Sequence, residues 1–192
     1  CILPGSRMSE IRKLAPIFEQ TIVRVARKNE NLSVVIPVVR HTREAVLARV
    51  AHWPVEAVLV EDESDKIAAF SAADAALAAS GTATLELGMA GLPSVVAYKM
   101  GGIMGALLMR VLRVPSAVIV NLVLDAPVMQ EFLEDRCTAD LITPAVNTLL
   151  QDDDLNRETR ARLEPLADVL GGAGEPPATR AAEIIRSLLQ QA

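Results

Sequence analysis

Aromatic residues are scarce: Phe, Trp and Tyr make up 3% of the chain. The core must therefore be assembled from Leu, Val, Ile and Ala, and recognition of nucleic-acid bases by stacking is disfavoured. A basic excess is missing too. The formal net charge is −5, whereas a phosphate-backbone binder needs a basic footprint, so nucleic acid is set aside as a partner. The two cysteines, Cys1 and Cys137, are too few for a disulfide scaffold and suit a reducing compartment. His41 and His52 lie apart and lack carboxylates at ligand spacing, so no metal site is expected and both read as surface or helix histidines. No apolar run has the length that spans a bilayer; the nearest, residues 103–112, is interrupted by Arg110 and followed by Arg113. Neither a P-loop nor the dinucleotide glycine fingerprint occurs, which argues against ATP hydrolysis and hydride transfer.

What is present is an alternation of strand and helix patterns. Cys1-Ile2-Leu3 reads as the tail of a buried strand running into Pro4-Gly5-Ser6, so the chain is expected to be cut from a longer protein. Residues 7–28 carry Ile11, Leu14, Phe18, Ile22 and Val25 at helical spacing, an amphipathic helix. Strands are expected at 32–39, 55–60, 74–79, 94–98 and 116–120. Helices are expected at 42–51, 64–72, 82–90 and 103–112, then at 128–134, 139–150, 155–170 and 179–191. The polar face Asn156-Arg157-Glu158-Thr159-Arg160 reads as solvated. Gly171 to Pro177 form a hinge before the last helix. Repeated strand–helix units imply an α/β fold, a doubly wound parallel sheet of Rossmann-like type with a C-terminal helical segment. Residues 1–150 are assigned to that domain and 151–192 to the C-terminal helices. The usual strand order, 3-2-1-4-5-6, puts the first and fourth strands side by side, and ligands bind where the order reverses, outside the carboxyl ends of the strands.

The two loops at that reversal carry the binding chemistry. After the first strand, Gly5 permits close backbone approach, Ser6 is a good N-cap, and Arg7 offers a fork for phosphate oxygens. After the fourth, Ser80-Gly81-Thr82 open a helix in which Glu86 follows Thr82 by four residues and so shares its face. A carboxylate beside a phosphate site must point at a neutral group, and sugar hydroxyls are the obvious donors. Each loop also admits a plainer reading, as an ordinary capped turn with a solvated Arg and as a first-turn Glu favoured by the helix dipole. Together they suggest a nucleoside diphosphate with its ribose near Glu86.

Leu3-Pro4-Gly5-Ser6-Arg7 with Glu10-Ile11, Ser80-Gly81-Thr82-Ala83-Thr84-Leu85-Glu86, Val95-Val96-Ala97-Tyr98-Lys99 and Asn121-Leu122 resemble, in order and spacing, the C-terminal half of the lipid-A-disaccharide synthase family. The resemblance implies a glycosyltransferase of two Rossmann-like domains, in which this half holds the donor. It implies UDP-diacylglucosamine as donor and a lipid monosaccharide phosphate as acceptor, giving lipid A disaccharide and UDP, with no cofactor. Arg7 and Ser6 would hold the diphosphate, Gly5 would let it approach, and Ser80, Gly81 and Thr82 would cradle phosphate. Glu86 would take the ribose hydroxyls. Asn121, at the end of the sixth strand, would face the transferred sugar, although a strand-end turn residue is the plainer reading. Glu131 is a further cleft candidate. Arg7 and Glu86 are the residues expected to be essential, and the catalytic base is expected on the absent N-terminal domain, onto which the C-terminal helices would pack.

Val123-Leu124-Asp125-Ala126-Pro127 lacks the Gly-Arg pair of the family pattern, which puts acceptor-phosphate binding in question. Residues 103–112 form an apolar stripe with basic edges, readable as a core-facing helix or as one lying on an anionic bilayer. The family implies a cytoplasmic enzyme at the inner membrane of a Gram-negative bacterium, and the hinge leaves exchange between subunits, hence a homo-oligomer, open. The alternatives are another UDP-sugar enzyme of the same architecture, an epimerase or a peptidoglycan glycosyltransferase, or an inactive nucleotide-binding fragment.

Overall fold

A computed structural model describes residues 1–99, 116–171 and 177–190. In chain order these form β1 (Ile2–Leu3), α1 (Met8–Ala26), β2 (Ser33–Pro37), α2 (Arg43–Val50), β3 (Glu56–Val60), α3 (Glu63–Ala72), β4 (Ala76–Ala79), α4 (Ala83–Met89), β5 (Ser94–Tyr98), α5 (Ile119–Val123), β6 (Gln130–Leu133), α6 (Ala139–Gln151), α7 (Asp153–Leu163), α8 (Pro165–Val169) and α9 (Pro177–Gln190). All strand pairs are parallel. One sheet runs β1-β4-β5-β6 and a second pairs β2 with β3. β2 lies against β1, so the spatial order is the expected 3-2-1-4-5-6, interrupted between β2 and β1. With two residues, β1 makes its ladder with β4 alone, Ile2 opposite Leu77 and Leu3 opposite Ala78.

The alternation of side chains along each strand divides the core in two. Ile2, Leu77, Ala79, Val95 and Ala97 face one side, where Ile11, Leu14, Phe18, Ile22 and Val25 of α1 join Ile142 and Val146 of α6. Leu3, Ala76, Ala78 and Val96 face the other, against Leu87 of α4, Val120 of α5, Leu163 of α7 and Leu166 of α8. That second layer is tight around α4: a Cβ on Gly88 would stand 2.6 Å from Leu166 Cδ2 and 3.0 Å from Val120 Cγ2.

Three expectations are corrected. Residues 116–120 are not the sixth strand; they lead into α5, and β6 is Gln130–Leu133, inside the stretch expected to be helical. Val118 and Val120 are fully buried against the helical layer, and this packing overrides the β-branched pattern of the segment. The stretch 128–134 is short, and short apolar runs do not separate strand from helix by period; pairing with β5 settles it, Val96 lying opposite Glu131 and Ala97 opposite Phe132. The polar face of α7 is not simply solvated. Arg160 donates to the carbonyls of Gly91 (3.2 Å) and Ala73 (3.1 Å), Asn156 donates to that of Asp74 (2.9 Å), and Thr159 is buried.

α7 and α8 are thus fastened into this domain, beyond the boundary at residue 150. α9 differs: Ile184, Ile185, Leu188 and Leu189 are all exposed. The stripe at 103–112 lies outside the described residues. Among those described, no helix is long and apolar enough to cross a membrane.

Candidate functional site

The loops following β1 and β4 meet, as adjacent parallel strands require, at the carboxyl ends of the sheet. Between them is a cleft of about 500 Å³ lined by Gly5, Ser6 and Arg7 from the first loop and by Ser80, Gly81, Thr82 and Glu86 from the second. A volume of this size accommodates a small ligand. A hollow of about 340 Å³ at the opposite ends of the strands is walled mainly by apolar side chains such as Ile22, Val25, Val34 and Leu77, without a comparable convergence of polar groups.

The first loop is organised by Glu10, which lies outside the set of site residues expected from the sequence. Glu10, in the first turn of α1, folds back so that its Oε2 accepts from the backbone N–H groups of Ser6 (3.0 Å) and Arg7 (3.2 Å). Its Oε1 accepts from Arg7 Nη1 at 3.0 Å. The amides of Ser6 and Arg7 therefore already have an anionic partner, supplied by the chain itself. Gly5 is explained by the same carboxylate. Its φ of +110° disfavours a side chain, and a Cβ there would stand 2.6 Å from Glu10 Oε2. The Arg7 side chain is 78% exposed, so its guanidinium is steered by Glu10 while most of it remains open to solvent. His41, in the turn after β2, places Nε2 2.9 Å from the Ser6 carbonyl oxygen; with a carbonyl as acceptor, this nitrogen is the proton-bearing one.

The second loop is the more open of the two. A Cβ added at Gly81 would meet nothing within 4 Å, and both Gly81 and Thr82 are exposed. Thr84 Oγ1 donates to the Gly81 carbonyl at 2.7 Å, fixing the turn into α4. The Ser80 hydroxyl is committed within the fold, donating to the Ala117 carbonyl at 2.8 Å.

Glu86, 48% exposed, accepts at Oε2 from Lys66 Nζ at 2.7 Å. Lys66 also reaches Glu63 Oε1 at 2.8 Å and is itself only 22% exposed. Burial pulls the Lys66 pKa down, but the hydrogen bonds and charges of Glu63 and Glu86 outweigh it, and the net shift is upward.

Asn121 and Glu131 are not brought into this cleft. Asn121 sits in α5 rather than at a strand end. Its amide is buried and committed, Nδ2 donating to the Met129 carbonyl (2.8 Å) and Oδ1 accepting from the Met129 N–H (2.8 Å). Glu131 Oε2 accepts from the Ala117 N–H at 2.9 Å. Ala117 is consequently held from two sides, by Ser80 at its carbonyl and by Glu131 at its N–H. Their contacts are structural, and of this group only Ser80 lines the cleft. Among the described residues, no three His, Cys, Asp or Glu side chains gather in a way that could hold a metal ion.

The helix begins one residue later than the sequence suggests: Arg7, not Ser6, is the N-cap, and Glu10 is its third helical residue. A capping box is recognised in sequence by Ser or Thr at the N-cap, so an Arg there gave no signal for Glu10. Lys66 gave none either, because its link to Glu86 crosses from one helix to another.

The comparisons with known proteins bear on the same features. The family model described as Lipid-A-disaccharide synthetase matches residues 1–172. A lipid-A-disaccharide synthase of Rhodospirillum centenum is 40% identical over 188 residues, 98% of this chain and 47% of that protein. Those of Bradyrhizobium diazoefficiens and Rhodopseudomonas palustris (strain HaA2) are 36% and 37% identical over 190 residues, each alignment covering 99% of this chain and 48% of the relative. The chain thus spans about half the length of the curated relatives it matches. With its Leu-Pro-Gly-Ser-Arg and Ser-Gly-Thr-Ala-Thr-Leu-Glu loops facing one cleft, the chain belongs to the lipid-A-disaccharide synthetase family.

Proposed function

We propose that this chain is the donor-binding half of a glycosyltransferase of lipid A biosynthesis, which transfers diacylglucosamine from its UDP derivative to a lipid monosaccharide phosphate. The observation that carries this reading is the convergence of the two motif loops on one cleft at the carboxyl ends of β1 and β4. The Glu10 carboxylate occupies the amides of the first loop, so the diphosphate is assigned to the exposed backbone of Gly81 and Thr82 and to the outward part of the Arg7 guanidinium. Glu86, a helical turn further along α4, is assigned to the ribose hydroxyls.

The chemistry requires the acceptor hydroxyl oxygen to attack the anomeric carbon while a base removes its proton and UDP departs with the bonding electron pair. Positive charge and oriented N–H groups at the departing diphosphate lower that barrier, and Arg7 with the second loop supplies them. The base is assigned to the part of the enzyme that is not in this chain. The exposed stripe of α9, Ile184, Ile185, Leu188 and Leu189, is assigned to packing against that other half. The substrates being lipids, the enzyme is assigned to the cytoplasmic face of the inner membrane.

Calorimetric titration with UDP tests the reading. Saturable binding is expected, with Arg7→Ala and Glu86→Gln each weakening it about tenfold, ~1.4 kcal/mol, and with no glycosyl transfer by the chain alone. A folded chain that does not take up UDP, or variants that bind as the parent does, would overturn it.

A further inference from the structure

Within the donor cleft one cation stands between two carboxylates and is not accounted for by the motifs. Lys66 projects from α3, is shielded over most of its length, and bridges Glu63 Oε1 at 2.8 Å and Glu86 Oε2 at 2.7 Å. Glu63 lies one helical turn before Lys66 on the same helix, so it anchors the ammonium locally. Glu86 comes from α4, on the far side of the β4 crossover, and is half exposed. A glutamate in that setting, left to itself, samples many rotamers and loses them when a ligand is bound. The lysine removes that freedom beforehand.

We infer that Lys66 is a positioning residue of the donor site, one that holds Oε2 of Glu86 and thereby presents Oε1 to the ribose hydroxyls of the nucleotide. The inference rests on the assignment of this cleft to UDP. A carboxylate has acceptor capacity for several donors, so the ammonium and a hydroxyl pair are served by one side chain without competition. Arg7, across the cleft, is tied to Glu10 instead, so the cleft has a carboxylate–cation pair on each wall, one beside the assigned diphosphate and one beside the assigned sugar.

The test is a titration of the chain and its variants with UDP and with 2′,3′-dideoxy-UDP, which lacks the hydroxyl donors and keeps the diphosphate. Lys66→Met is expected to weaken UDP about fivefold, the order set by leaving one Glu side chain to be ordered on binding, and to leave dideoxy-UDP unchanged. Lys66→Arg, which can still bridge the two carboxylates, is expected to restore the preference for UDP. Thermal unfolding of each variant identifies any that has lost its fold, and the arginine variant then carries the comparison. Equal weakening of both ligands would overturn the inference by showing that the lysine acts on the diphosphate or through the fold. So would no weakening of either. Glu86→Gln separates the lysine's role from the ribose assignment. If it abolishes the preference for UDP and Lys66→Met does not, only the lysine's role fails; if it leaves the preference intact, the ribose assignment fails and the inference with it.

Discussion

Replacing Glu10 by Gln probes the internal anion of the first loop. The carboxylate accepts two backbone N–H bonds, at 3.0 and 3.2 Å, from Ser6 and Arg7, and its side chain is 22% exposed. Hydrogen bonds to a charged partner contribute about 1.5–3 kcal/mol each, against about 0.5–1.5 for neutral ones. A glutamine keeps an oxygen in place but loses the charge, so a loss of about 1–2 kcal/mol is expected. In a chain of this length that corresponds to roughly 2–8 °C in Tm. The ion pair with Arg7 contributes little to this, because the arginine is 78% exposed and such pairs are worth at most about 1 kcal/mol. Urea unfolding followed by circular dichroism, with Glu10→Gln measured in both the parent and an Arg7→Ala background, distinguishes the two contributions. The loss should survive largely intact when Arg7 is absent. Its disappearance in that background would mean that the arginine, not the loop amides, is what Glu10 serves. An unchanged midpoint in the parent would refute the internal-anion argument altogether.

Further expectations follow from the packing and from the buried hydrogen bonds. Gly88→Ala should cost about 1–3 kcal/mol by overpacking against Leu166 and Val120, seen as a lowered urea midpoint, and Leu166→Val should recover part of it. Asn121→Ala should strand the Met129 N–H and carbonyl, lowering stability by about 2–4 kcal/mol; UDP affinity of the remaining folded protein should hold, and selective loss of affinity would return Asn121 to the cleft. The raised Lys66 pKa favours the folded state wherever the lysine is charged: that stability is full below the ordinary value of 10.5 and is lost as pH rises through the higher folded value. The stability gap between the parent and Lys66→Met should therefore be flat through neutral pH and close only above pH 10.5. Burial raises the pKa of the Cys137 thiol, and the side chain has no exposed surface; a thiol reagent should label the partly exposed Cys1 first, as peptide mapping would show.

Much of the fold was legible because its signals were local. The 3.6-residue spacing in α1 and the β-branched run of β2 are properties of contiguous sequence, and the strand–helix alternation carried the order of the sheet. The two loops were found for a related reason, since the position of a strand-order reversal follows from topology. What is not legible in the sequence depends on contacts between distant segments. Val118-Ile119-Val120 has the composition of a strand and becomes a loop and helix because Gln130 to Leu133 take the place beside β5. Asn121 has the chemistry of a sugar ligand, yet its amide is consumed by the backbone eight residues later. Ser80 reads as part of a phosphate-cradling loop, but nothing in that loop reveals that its hydroxyl grips Ala117, 37 residues on. Arg160 reads as solvated because nothing in its own helix reveals the carbonyls of Ala73 and Gly91.

β4 consists of Ala76, Leu77, Ala78 and Ala79, every one of them buried, and it is the strand that delivers Ser80 and Gly81. In a saturation mutagenesis scan, enlargement at any of its alanines would push on a helical layer from one face or the other. The strand should therefore appear as a deep trough of mutational tolerance, whereas β3, with Val58 half exposed at the outer margin of the fold, should accept many replacements. A lineage adapting to a new donor would then vary the side chains on α3 and α4 around the cleft and leave the strand beneath it untouched.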